Sequence, residues 1–149
     1  MIGLRPPTRS RIVSIARGWL GTPYHHQASR RAVGADCLGL VRGVWREVYG
    51  TDAELPPAYS RDWAEASGEE TLLAGAGRHL LQIDRGKARD GDVVVFRLRG
   101  GLVAKHTAIL TSGTSFVHAM EGGPACEAAL GSWWQRRIAG AFSFPGVVD

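Results

Sequence analysis

Apolar positions recur at helical spacing in the first third of the chain and at strand spacing in the last third. After Pro6-Pro7, a helix is predicted from about Thr8 or Ser10, with Ile12, Ile15, Trp19 and Leu20 on one stripe and Gly21 ending it. A loop follows from Thr22 to Gly34. A second helix is predicted over Cys37–Tyr49, with Leu38, Val41, Trp45 and Val48 as its buried stripe and Gly50 as its stop. Leu55 to Tyr59 carries a Pro-Pro pair and reads as a loop, and Arg61 to about Leu81 is weakly helical, broken by Gly68, Gly75 and Gly77.

From Asp90 the period changes to two. Asp90-Gly91-Asp92 reads as a turn, and Val93–Phe96 is apolar on both faces, which places it centrally in a sheet. His106–Thr111 and Phe116–Met120 read as paired strands around Ser112-Gly113-Thr114. A last strand is predicted near Arg137–Phe144, with Ile138, Gly140, Phe142 and Phe144 on one side. Helices first and strands later give an α+β domain in which the Cys37 helix packs on an antiparallel sheet.

Length and composition narrow the options. At 149 residues and 44% apolar, the chain suits one globular domain over residues 1–149. No apolar run is long enough to span a bilayer, so no membrane insertion is expected. Met1 to Pro7 lacks the apolar core of a secretory signal, which implies synthesis in the cytoplasm and export by some other route. A charge of +4 and a pI of about 9.6 suit an anionic partner. The basic residues are scattered and carry no nucleic-acid-binding motif, so nucleic acid is not the expected partner.

The chemistry centres on Cys37. A thiol where a loop enters a helix meets unpaired backbone N–H groups and the positive end of the helix dipole, which favour the nucleophilic thiolate. Two histidines, His106 and His118, follow in the predicted hairpin. Cysteine first and histidine much later is the chain order of enzymes in which an imidazole activates the sulfur. For both histidines to act, they must share a face of the sheet. A three-residue loop over Ser112–Thr114, with Thr111 opposite Ser115, puts His118 opposite Ala108 and makes His106 its diagonal neighbour, with Cβ atoms roughly 7–8 Å apart. His106 then takes the thiol proton and returns it to the leaving amine, while His118 accepts a hydrogen bond from His106 and fixes its tautomer. The oxyanion hole would combine the Cys37 backbone N–H with a side-chain donor, for which Tyr24 is a candidate.

Other residues read more plainly. His25 and His26 read as polar loop residues, with contact to substrate as the alternative, His79 reads as a solvated helix residue, and Cys126 as incidental in a Gly-Pro loop. Trp133-Trp134 is read as packing on the sheet, with a partner-facing patch as the alternative. Tyr24 also fits core packing, and Asp36 fits a helix N-cap. Two cysteines outside any CxxC pair argue against structural zinc, and acyl-transfer chemistry accounts for the Cys–His–His set without a metal or other cofactor. An acyltransferase would need a hydrophobic acyl channel, of which the sequence gives no sign.

Several segments in order carry a family resemblance: Gly21-Thr22-Pro23-Tyr24, Gly34-Ala35-Asp36-Cys37-Leu38-Gly39-Leu40-Val41, Asp90-Gly91-Asp92-Val93-Val94-Val95-Phe96, His106-Thr107-Ala108-Ile109-Leu110 and Val117-His118-Ala119. Together they resemble the NlpC/P60 cysteine peptidases. The His25-His26-Gln27 variant and the Asp-Cys-Leu-Gly form are similar to the tail-associated cell-wall peptidases of phages and of the gene transfer agents of alphaproteobacteria.

The resemblance implies a papain-like fold and hydrolysis of peptidoglycan stem peptides, typically between D-glutamate and diaminopimelate. It implies Cys37 as nucleophile, His106 as base, His118 as orienting residue, Tyr24 near the oxyanion and Asp36 at the substrate's free amino end. Two departures bear on substrate preference: Leu38 replaces the usual Ser after the nucleophile, and His25-His26-Gln27 replaces a Trp-Gly-Gly-like segment. With no wall-binding module in the sequence, delivery by a phage-like tail or baseplate is the implied route to the target wall. The alternative is a non-catalytic structural adaptor of such a tail that keeps the fold.

Overall fold

A computed structural model describes residues 5–53, 71–98 and 103–149. The predicted loop at Leu55–Tyr59 and the first part of the weakly helical stretch lie outside the described residues. The elements in chain order are α1 (Arg9–Arg17), a ribbon of β1 (Ser29–Arg30) and β2 (Gly34–Ala35), α2 (Cys37–Tyr49), α3 (Thr71–His79), β3 (Leu81–Ile83) and a 3₁₀ turn (Arg85–Lys87). There follow β4 (Val93–Phe96), β5 (His106–Ser112), β6 (Ser115–His118), β7 (Cys126–Ala129), α4 (Ser132–Gln135) and β8 (Ile138–Ser143). Strands β3 to β8 form one antiparallel sheet in the order β3-β8-β4-β5-β6-β7. The class is α+β, as expected.

Helix α1 starts where Thr8 can cap it, its side chain accepting from Arg11 N at 3.0 Å. The helix stops at Gly18, short of the predicted Gly21, and the chain turns there. Leu20 therefore leaves the stripe and is 41% exposed, while Ile12, Val13, Ala16 and Trp19 are buried.

Helix α2 has the predicted bounds, from the Asp36 cap to Gly50. Its buried face is not the predicted one. Gly39, Leu40, Gly43, Val44 and Val48 face the core, and Leu38, Val41 and Trp45 only flank it. Hydrophobic periodicity missed this because two of the inward positions are glycines. Gly43 lets the Trp19 indole lie against the helix, since a Cβ there would sit 2.0 Å from the ring.

Strand β4 is buried along its whole length between β5 and β8, as its doubly apolar pattern predicts. One face of the sheet packs α1 and α2 through Val93, Val95, Ile109, Val117 and Phe142. The other face carries Val94, Phe96, Ala108, Leu110, Phe116 and Ala141, with Ile138 and Trp134 against them. The β8 alternation is broken by a bulge opposite Val95/Phe96, so Ile138 and Phe142 end on opposite faces instead of together.

Candidate active site

The hairpin sets the histidines. Ile109 pairs with Val117 and Leu110 with Phe116, so the register puts Ala108 opposite His118. The connection is a two-residue turn at Gly113-Thr114 with Ser112 opposite Ser115, not the predicted three-residue loop. An irregularity between Leu110 and Ser112 takes up the extra residue, so the face of every upstream side chain is the one expected. His106 and His118 therefore share a face. Both are buried (4% and 5% exposed), with His106 Nε2 2.8 Å from His118 Nδ1. Their rings meet edge to face at 5.0 Å and 76°.

Helix α2 brings Cys37 against the main chain beside His106, and among the described residues its sulfur makes no hydrogen bond to either imidazole. The thiol donates to the Lys105 carbonyl, with Sγ to O at 3.6 Å, and the backbone N–H of Thr107 also acts on the sulfur. The sulfur thus lies against the main chain on both sides of His106. Asp36, only 4% exposed, caps the helix through Oδ1 to Gly39 N (2.8 Å) and holds the preceding loop through Oδ2 to Gln27 N (2.8 Å). His26 Nδ1 stands 4.0 Å from the same Oδ2, which ties this loop histidine to the cap. Tyr24 is bridged to Ala35 through its backbone, two residues before Cys37.

The electrostatics correct one expectation. Burial pushes the Cys37 thiol up to about 12, and the Asp36 carboxylate adds to the rise. The N–H groups of Thr107, Leu38 and Cys37 itself pull the other way without prevailing. Burial, helped by the neighbouring imidazole, holds His106 down to about 3, and burial lowers His118 as well. Cys37 is therefore drawn toward the thiol and His106 toward the neutral imidazole, rather than toward a preformed thiolate: desolvation outweighs the helix terminus, whose dipole the Asp36 cap partly neutralises.

This state has a pH signature. The unfolded chain binds protons at histidine near 6.5, where the folded His106 stays neutral down to about 3. Its contribution is full above the unfolded value and lost as the pH falls through this window, by at most about 1.4 kcal/mol per pH unit for one proton. The raised Cys37 works in the other direction, its contribution being full below 9.0 and lost as the pH rises toward about 12. Urea midpoints should be highest between roughly pH 6.5 and 9 and fall on both sides. A profile flat on the acid side would contradict a buried neutral pair.

Two neighbours of the site go beyond what the sequence predicts. Cys126 lies in strand β7, not in a loop, and pairs with His118. Trp134 packs on the sheet as expected, and its contacts include both histidines. No local pattern signals either neighbourhood, because each depends on strand order. Among the described residues, no group of three or more His, Cys, Asp or Glu side chains is placed to hold a metal. No described helix is long and apolar enough to cross a membrane.

A sequence model of the NlpC/P60 family matches residues 21–143. The probable endopeptidase NlpC of Escherichia coli (strain K12) is 28% identical over 123 residues, which cover 82% of this chain and 69% of that protein. The crystal structure of the NlpC/P60 domain of the peptidoglycan hydrolase SagA superposes with a TM-score of 0.63 at 24% identity, covering 92% of this chain and 99% of that one. An NlpC/P60 family protein from Bacillus cereus gives 0.66 at 18% identity over 93% of this chain and 40% of its own. The chain thus spans less than half of that structure, and likewise 46% of a related Staphylococcus aureus one.

Proposed function

The chain belongs to the NlpC/P60 family, and from that premise we propose that it is a cysteine endopeptidase acting on peptidoglycan stem peptides. The observation that carries the reading is the 2.8 Å contact between His106 Nε2 and His118 Nδ1, beside a helix-start cysteine whose thiol reaches the Lys105 carbonyl. With Nε2 of His106 engaged by His118, Nδ1 is the nitrogen that serves as base. The pair then has one consistent tautomer: His106 carries its proton on Nε2 and donates it to Nδ1 of His118.

Because both partners rest neutral, the proton moves during attack. Sγ bonds to the scissile carbonyl carbon as its proton passes to His106 Nδ1, and the carbonyl oxygen becomes an oxyanion. The Cys37 backbone N–H, which at the first turn has no intrahelical acceptor, donates to that oxyanion, with Tyr24 as the second donor. Collapse expels the amine, which takes the proton from His106 and leaves a thioester. Water, deprotonated by His106, then hydrolyses the thioester and restores the thiol. Each oxygen of a carboxylate can accept more than one hydrogen bond, so Asp36 can take the substrate's free amino end while keeping its contacts to Gly39 N and Gln27 N.

The substrate class is supported by the relatives, described as a probable endopeptidase and as a peptidoglycan hydrolase, and by a pI of about 9.6 that suits carboxylate-rich wall peptides. The bond proposed is D-glutamyl–diaminopimelate. The His25-His26-Gln27 variant and the Leu38 substitution support action as part of a phage-like tail at a target cell wall. Purified stem tripeptide and tetrapeptide incubated with the protein should each yield a diaminopimelate-terminated product by mass spectrometry. Intact substrate after long incubation with folded protein would reject the reading.

A further inference from the structure

Helix α4 lays Trp134 over the histidine-bearing face of the sheet. The indole centroid is 5.4 Å from His118, with the planes nearly perpendicular at 87°, and 6.0 Å from His106. It also stands 4.9 Å from Phe96 and 5.0 Å from Phe116. Phe96 in turn stacks on His106 at 5.9 Å and 25°, and Phe116 meets His118 at 4.8 Å and 72°. Three aromatic rings thus frame two imidazoles. None of them offers an acceptor for an imidazole N–H other than a π face, so the two imidazoles satisfy each other.

The two sides of the frame are held differently. Phe96 and Phe116 sit in β4 and β6, fixed by the sheet itself. Trp134 sits on a single helical turn and is braced from outside. Trp133 packs on it edge to face at 4.9 Å, and the Arg137 guanidinium lies 3.7 Å over the Trp133 ring while donating to the Trp133 carbonyl at 2.7 Å. Gln135 Nε2 reaches back to the Leu130 carbonyl at 2.9 Å. Histidine χ2 is a soft, broad torsion. Phe116 and the indole both meet the His118 ring edge to face, and of these two the indole also reaches His106, so it is the one that bears on both imidazoles.

We propose that Trp134 is a positioning residue for the imidazole pair, holding the His118 ring so that Nδ1 stays on His106 Nε2 and walling both rings from water. This rests on reading His106 as base and His118 as its orienting partner. Among the described residues, the titratable groups on the surrounding elements are Cys37 on α2, Lys105 next to His106, Arg97 after β4, Cys126 opposite His118 on β7, and Arg136 and Arg137 after α4. Removing the indole admits water and restores part of the imidazoles' hydration, so their protonation moves to higher pH.

The test compares wild type, Trp134→Leu and Trp134→Phe by imidazole NMR titration, by the pH dependence of Cys37 alkylation with iodoacetamide, and by stem-peptide hydrolysis. In Trp134→Leu the His118 titration should move upward and kcat fall on the order of tenfold with KM changed less than about twofold. Trp134→Phe, which keeps a ring, should recover most of the loss. If Trp134→Leu does not fold, Trp134→Met refills more of the space without a ring and takes its place. A folded variant without the ring, showing wild-type imidazole titration and wild-type kcat, would overturn the proposal. Titration and alkylation need no substrate, so a wild type that cleaves nothing would reject the peptidase reading and leave this comparison intact.

Discussion

Cys37→Ala should remove stem-peptide hydrolysis, lowering kcat by on the order of 10⁵-fold or more, while leaving the fold and melting behaviour unchanged. The thiol is the group at the start of α2 that faces the main chain around His106, and its one modest hydrogen bond to Lys105 O at 3.6 Å contributes little to stability. Losing it leaves the His106–His118 pair assembled but with no nucleophile to activate. Cys37→Ser is the more searching variant. A hydroxyl is a poorer nucleophile at its free pKa, and a resting site that already holds the thiol proton to about 12 has little reserve for a still weaker acid. The serine variant should therefore behave much like the alanine one, as read by mass spectrometry of the products with circular dichroism as the folding control. Substantial turnover in either variant would mean that another group attacks the peptide.

The geometry of helix α2 and of the histidine pair was largely legible in the sequence because its parts are declared locally. Asp36 before Cys37 and Gly50 after Tyr49 mark both ends of α2, and each does its capping work in the structure. The spacing of His106 and His118 across a short turn fixed the shared face. The turn itself is one residue shorter than predicted, yet the irregularity at Thr111 preserves the parity, and parity is what places side chains. What the sequence hid was long-range. Strand β7, an exposed edge pattern of Cys126-Glu127-Ala128-Ala129, has no apolar alternation, and it exists because β6 offers it a partner. Trp134 is placed beside the histidines by strand order rather than by spacing. The protonation state was missed for a related reason. A helix N-terminus is visible in sequence, whereas the burial that outweighs it belongs to the packed molecule.

Glycine at position 39 is the clearest case of a residue whose importance is silent to hydrophobic pattern. In a helix, Gly→Ala ordinarily stabilises by about 1 kcal/mol. At Gly39 the added Cβ would stand 1.8 Å from the Ala28 carbonyl oxygen and 2.8 Å from its carbon, an obstacle made of backbone. That backbone cannot swing aside cheaply. Asp36 N donates to Ala28 O at 3.2 Å, Asp36 Oδ2 accepts from Gln27 N at 2.8 Å, and Ser29 Oγ donates to Gly39 O at 2.5 Å. Gln27 is meanwhile held at φ 66°, in the left-handed region, a conformation sustained by those same bonds. The clash therefore wins over propensity, and Gly39→Ala should destabilise by on the order of 3 kcal/mol. Gly77→Ala is the matching control, since that helical glycine has nothing within 4 Å of an added Cβ and should gain up to about 1 kcal/mol. Urea unfolding of the two variants separates the effects by sign. Under conditions where Gly39→Ala remains folded, its hydrolysis should fall further than its folded fraction, because the displaced loop pulls on the Asp36 carboxylate that caps α2 next to Cys37. Equal stabilisation by both substitutions would mean that the loop does not bear on α2 as described.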